Sequence, residues 1–139
     1  GQRVTSITVG VQEGGQIFIF IIECLVDFLC GDVIANNRKL ARRMADAVSE
    51  LHDHPHVAEV RQTGMILAIE MVRNKATGET YAWQERRGMR VYQHGLQQGV
   101  LLRPLANVVY FMPPYVINDD EIQLMAKTAI DGIQLATRD

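Results

Sequence analysis

The chain has 139 residues, 47% of them hydrophobic and 22% charged, with a formal net charge of −2. That length fits one domain, able to bury roughly two thirds of its unfolded surface without disulfide staples. No basic tract stands out, Arg42-Arg43 and Arg86-Arg87 being pairs on otherwise mixed segments, so nucleic-acid binding is not expected.

Residues 1–31 read differently from the rest. VTSITVGV is β-rich, and Gly14-Gly15 breaks it. The apolar run from Ile17 to Cys30 has no clean period and is interrupted by Glu23 and Asp27. It falls short of the roughly 20 apolar residues that a membrane-spanning helix needs. Arg3 alone makes a poor basic region for a signal peptide, so a buried or interface segment is expected. Cys24 and Cys30 are spaced unfavourably for a disulfide on either a helix or a strand, so free thiols in a reducing, cytoplasmic compartment are expected.

From Asp32, a helix N-cap candidate, the periodicity sharpens. Val33, Asn37, Leu40, Met44, Val48 and Leu51 recur every three or four residues and predict one buried helix face. The helix must stop near HDHPH, where Pro55 lacks an N–H. Residues 57–72 predict a strand or hairpin pair with a bulge or tight bend at Gly64, and a polar turn centred on Gly78 follows. A second helix is expected from Trp83 to Gln98, with Tyr81, Met89, Tyr92 and Leu96 as its apolar stripe and Gly99 as its terminator. Two short strands follow at about 100–103 and 107–111, joined by the turn LAN. Asn118 and Glu121 have capping-box spacing and open a last helix, with Asp119, Asp120 and Glu121 at its positive end. Its buried stripe is Ile122, Met125, Ala126, Ala129, Ile130 and Ile133. The order α-β-α-β-β-α predicts an α/β (α+β) fold, a small antiparallel or mixed sheet with helices on one face.

The motifs that carry chemistry are few. His52, His54 and His56 alternate, as zinc ligands on a strand would, but they follow a helix and flank a proline, so a solvated loop is the expectation. No phosphate-binding glycine loop and no nucleophile elbow occur, and Ser6 and Ser49 are the only serines. Arg103 stands out. It ends an apolar run beside Pro104 and precedes a second run that stops at Pro113-Pro114. Its planar fork suits a carboxylate or phosphate, the alternative being pairing with a local acid.

VAEVRQTGMILAIEMV and TYAWQERRGMRVYQHGLQQGVLLRPLANVVYFMPPYVI together resemble the C-terminal part of a class III aminotransferase. RQTGMILAIE and LLRPL…VVYFMPPY are most similar to the biotin-synthesis branch of that class. The resemblance covers about residues 32–138 and implies the small C-terminal domain of a fold-type I enzyme dependent on pyridoxal phosphate, working as a homodimer. It implies that Arg103 holds the substrate carboxylate. The family's cofactor lysine and phosphate-binding loop lie upstream, and Lys39, Lys75 and Lys127 match no family motif. The chain alone is therefore expected to bind no cofactor and to be inactive. Residues 1–31 do not match the family's sequence at that point, so the domain reading is 1–31 and 32–139. The alternative is a non-catalytic binding or oligomerisation module derived from the same fold, which an absorbance scan for bound cofactor would distinguish.

Overall fold

The computed structural model describes residues 31–138. The chain separates into two compact units, Gly1–Val33 and Ile34–Asp139, and the second carries nearly all the elements below. The expectations for residues 1–30, including the apolar run and the two cysteines, lie outside the described residues.

Helix α1 spans Val33–Ala47 and buries Leu40 and Met44. Val33 is only half-buried, and Asn37 sits on the same stripe. The α-helix ends at Ala47, and a 3₁₀ turn over Ser49–Asp53 follows, which keeps Val48 and Leu51 in the core. Strands β1 (Val57–Thr63) and β2 (Ile66–Met71) pair antiparallel, with a register shift between Val57 and Glu59. Gly64 takes φ +55° at the hairpin tip, a conformation that costs other residues strain. Residues 57–72 are thus the hairpin pair, the second of the two expected alternatives, and the chain order is α-β-β-α-β-β-α, where the order expected from the sequence counts this segment as one strand.

The second helical segment departs from its expected limits and face. Trp83–Glu85 forms a 3₁₀ turn, Arg86 breaks it with φ 49° and ψ 42°, and α2 runs only over Arg87–Gln97. The side that α2 buries carries Arg87, Gly88, Val91 and Gly95. Met89 and Leu96, expected inside, are 39% and 51% exposed. The cause is close packing. A Cβ on Gly88 would lie 2.4 Å from the Ala106 carbonyl oxygen, and one on Gly95 2.7 Å from that of Val100. Only residues without side chains fit at that separation, so the large apolar residues are displaced to the outside.

Strands β3 (Arg103–Leu105) and β4 (Val108–Phe111) form a second antiparallel hairpin. β3 starts where a strand was expected to end. The Val100 amide is spent on the Gly95 carbonyl at 2.8 Å, closing α2, which takes Val100 out of the strand, and pairing begins at Arg103. Helix α3 covers Asp119–Thr137. Its cap is as expected: the Asn118 side chain accepts from the Glu121 amide, and the Glu121 carboxylate accepts from the Asn118 amide, both at 2.9 Å.

The four strands make one antiparallel sheet in the order β1-β2-β4-β3. Leu67, Ile69, Met71, Val109 and Phe111 point to one face and share a core with Leu40 and Met44 of α1, Val91 of α2, and Ile122, Met125, Ala129 and Ile133 of α3. All three helices thus lie on one face of the sheet, as the periodicity implied. Each large apolar side chain buried there contributes roughly 1.5–3 kcal/mol, and this core is what holds the opposite face of the sheet in place.

Candidate functional site

Side chains alternate across a strand, and cross-strand partners share a face. Because Pro104, Val109 and Ile69 form one row on the core side, the neighbouring row Arg103, Tyr110, Ala68 and Arg61 stands on the other. On one side of it the next outer row is Leu105, Val108, Glu70 and Glu59, and on the other side Ile66 and Met112 are exposed. Leu105 is 67% exposed, so the β3–β4 end of this face is apolar and open.

Two arginines mark the ends of the Arg103 row, and they differ in what they touch. The Arg61 guanidinium donates to Glu70 Oε2 at 2.6 Å and to Glu59 Oε2 at 3.0 Å. Its pKa is raised, first by the hydrogen bond to Glu70 and next by that to Glu59. Arg103 is exposed and has no ion-pair partner among the described residues. It is therefore available to an external anion at the apolar end of an open sheet face. Its surroundings, Tyr110 and Leu105, favour an anion attached to an apolar body over a free inorganic ion.

The histidine tract is built into the fold. His54 Nδ1 accepts the His56 backbone N–H at 3.1 Å, and His56 Nδ1 lies 2.8 Å from the Arg73 carbonyl oxygen, which requires Nδ1 to carry the proton. His54 and His56 are half-buried, and only His52 is exposed. Burial, reinforced by the neighbouring His56 and Lys75, lowers the His54 pKa. Among the described residues no group of three or more His, Cys, Asp or Glu could hold a metal ion. No helix among them is long and apolar enough to cross a membrane.

A second polar cluster went unnoticed in the sequence. Arg87 is only 4% exposed. It donates to Glu85 Oε2 at 2.7 and 3.0 Å and to the Ala136 carbonyl at 2.7 Å. Glu85 Oε1 accepts from Arg73 at 2.8 Å and from the Ala82 amide at 3.1 Å. The buried Tyr81 ring lies under both guanidiniums, with the Arg87 carbon 4.4 Å and the Arg73 carbon 5.2 Å from its centroid. Arg87's hydrogen bonds, opposed by partial desolvation, bring the Glu85 pKa down from 4.5 to about 2. Arg86-Arg87 reads in sequence as a surface pair, and nothing local marks one of them for burial.

The described residues do not fit as a covalent seat for pyridoxal phosphate. Lys39 is exposed on α1, Lys75 donates its ammonium to the His52 carbonyl, and Lys127 is paired with Asp131 at 2.6 Å on α3. None stands on a strand of the Arg103 face.

A family model described as aminotransferase class-III matches residues 17–133, so the match begins inside the N-terminal segment. The adenosylmethionine-8-amino-7-oxononanoate aminotransferase of Geobacter sulfurreducens is 41% identical over 101 residues, covering 73% of this chain and 21% of the relative. The putrescine–pyruvate aminotransferase of Pseudomonas aeruginosa is 35% identical over 85 residues, covering 59% of this chain and 18% of the relative. Among solved structures, adenosylmethionine-8-amino-7-oxononanoate aminotransferase from Methanocaldococcus jannaschii superposes with a TM-score of 0.71 at 28% identity, covering 86% of this chain and 25% of that one. The chain thus spans about a fifth of the length of the curated relatives it matches.

Proposed function

The chain belongs to the class-III aminotransferase family, and on that premise we propose that it is the C-terminal part of a pyridoxal-phosphate-dependent enzyme of biotin synthesis. The complete enzyme moves an amino group from S-adenosylmethionine to 8-amino-7-oxononanoate, and this segment supplies the residue that holds the substrate carboxylate. The observation that carries the reading is Arg103: exposed, without a described acid partner, and on the open face of the sheet at its apolar end. Similarity to relatives that bear that activity in their names supports the choice of substrates.

Arg103 acts by orientation. A guanidinium is charged at every relevant pH and offers two parallel N–H donors to a carboxylate. Pro104 has a fixed φ and restricts the backbone of Arg103 before it, and Arg103 is paired with Tyr110, so the directions in which its side chain can leave the strand are limited. Leu105, Val108 and Met112 lie on the same face and offer apolar surface for the aliphatic part of a long-chain acid. Pyridoxal phosphate supplies the electron sink for amino transfer in such enzymes, and its seat belongs to a part of the enzyme that the described residues do not include. By the same reading the complete enzyme works as a cytoplasmic homodimer whose small domain is 32–139, preceded by residues 1–31, of which 17–31 fall within the family match.

The test is kinetic, in a complete aminotransferase bearing this segment. Arg103→Ala removes two charge-assisted hydrogen bonds of about 1.5–3 kcal/mol each. The two act on one anion and are not additive, so the expected result is a loss in kcat/KM of about tenfold to about a thousandfold for carboxylate substrates. Arg103→Lys is expected to restore only part of it, since a point charge cannot reproduce the fork. Normal kinetics for Arg103→Ala with carboxylate substrates would sink the assignment.

A further inference from the structure

Arg103 can present its guanidinium at one place only if the hairpin beneath it is held. β3 is a three-residue edge strand, paired on one side to β4 alone, and its central residue is Pro104, which has no N–H to give. Three cross-strand positions do not hold an edge strand rigidly. The turn that closes the hairpin adds no rigidity of its own. Ala106 adopts φ 53° without being glycine, a conformation of higher energy that must be imposed from outside.

Asn107 is where that constraint enters. Its carbonyl oxygen accepts the Met71 amide at 2.8 Å, which ties the turn to the end of β2. Its side-chain Nδ2 donates to the Tyr81 carbonyl oxygen at 2.8 Å. Tyr81 is itself immobilised: its ring is buried beneath the Arg73 and Arg87 guanidiniums, and Arg87 reaches across to the Ala136 carbonyl near the end of α3. On the opposite side, Gly88 lets α2 close onto the Ala106 carbonyl and Pro104. The Asn107 side chain therefore joins the hairpin bearing Arg103 to the most strongly tied ionic cluster among the described residues.

We propose that Asn107 is a positioning residue for substrate carboxylate, acting through the β3–β4 turn to fix where Arg103 stands. The proposal rests on the carboxylate role assigned to Arg103. Asn107 touches no substrate; it narrows the range of positions from which the guanidinium meets the anion. An amide suits the task because Nδ2 is the donor that the Tyr81 carbonyl requires, and an aspartate of the same shape has none.

The experiment is a double-mutant cycle in a complete aminotransferase bearing this segment, with 8-amino-7-oxononanoate and its methyl ester as substrates. The quantity read is the preference for the acid over the ester. Asn107→Ala is expected to lower that preference by roughly three- to tenfold, the scale of one neutral hydrogen bond, mainly through KM. In an Arg103→Ala background the same change is expected to leave the preference unaltered, because two residues in one chain of action are not additive. A preference unchanged by Asn107→Ala, or an effect that persists in full without Arg103, would overturn the proposal while leaving the Arg103 assignment standing. An Arg103→Ala enzyme that still prefers the acid would remove the assignment and the proposal together. Asn107→Asp keeps the shape and loses the donor, and it repeats the comparison if the alanine variant does not fold. Failure of both variants to fold would assign Asn107 to stability and overturn the positioning role.

Discussion

Glu85 shows how much one carboxylate organises in this molecule. It accepts from Arg87, Arg73 and the Ala82 amide, and with them it sets the 3₁₀ turn before α2 and the clamp on Tyr81. Its pKa falls from 4.5 to about 2 on folding. A carboxyl group with a lowered folded pKa stabilises the fold fully above its unfolded value and loses that contribution as pH falls through the folded one. Stability from Glu85 is thus present above pH 4.5 and declines between there and about 2. Thermal unfolding followed against pH should show that decline, and Glu85→Gln should flatten it while lowering the plateau at neutral pH. A profile of identical shape in both proteins would mean that other carboxylates carry the acid sensitivity. His54 acts in the same direction at milder acidity, since its lowered pKa means that its protonation opposes the folded state.

At the level of elements, α2 inverts the usual reading of an amphipathic helix. Its inner face is built from two glycines, a valine and an arginine, and its outer face shows Met89 and Leu96. The face is chosen by the separation between backbones and outranks the size of the side chains. Gly88→Ala places a methyl 2.4 Å from the Ala106 carbonyl and is expected to destabilise by about 1–3 kcal/mol in chemical denaturation. Leu96→Gln on the exposed side is expected to change stability by less than about 0.5 kcal/mol. The reverse ranking would show that α2 packs through its large residues. Because Gly88 abuts the turn of the Arg103 hairpin, the same substitution should weaken carboxylate binding in a complete enzyme.

For the molecule as a whole, the helices cover one face of the sheet and leave the other, with Arg103, open among the described residues. Its three lysines are dispersed, and Lys75 and Lys127 are already engaged. The 139-residue chain incubated with pyridoxal phosphate and reduced with borohydride is expected to show no stoichiometric adduct by intact mass, and full labelling of a single lysine would refute this.

What the sequence by itself determined here is local and periodic. The stripe Leu40, Met44 and Val48, the Asn118–Glu121 cap and the Ile122 to Ile133 face are legible because helical spacing and capping chemistry act within a few residues. So was the peculiarity of Arg103 beside Pro104, and with it the family resemblance. The tertiary structure alone decided the rest, because the forces involved join residues distant in the chain. That β2 takes β4 as its other neighbour, across an intervening helix, depended on pairing between distant segments. The buried face of α2 depended on how close β3 and α3 come. Arg87 is buried because a carboxylate, a tyrosine ring and the end of α3 converge on it, and its neighbour Arg86, chemically the same, stays in solvent. Asn107, an ordinary turn residue in sequence, gained its part only when folding placed the Tyr81 carbonyl 2.8 Å from its amide.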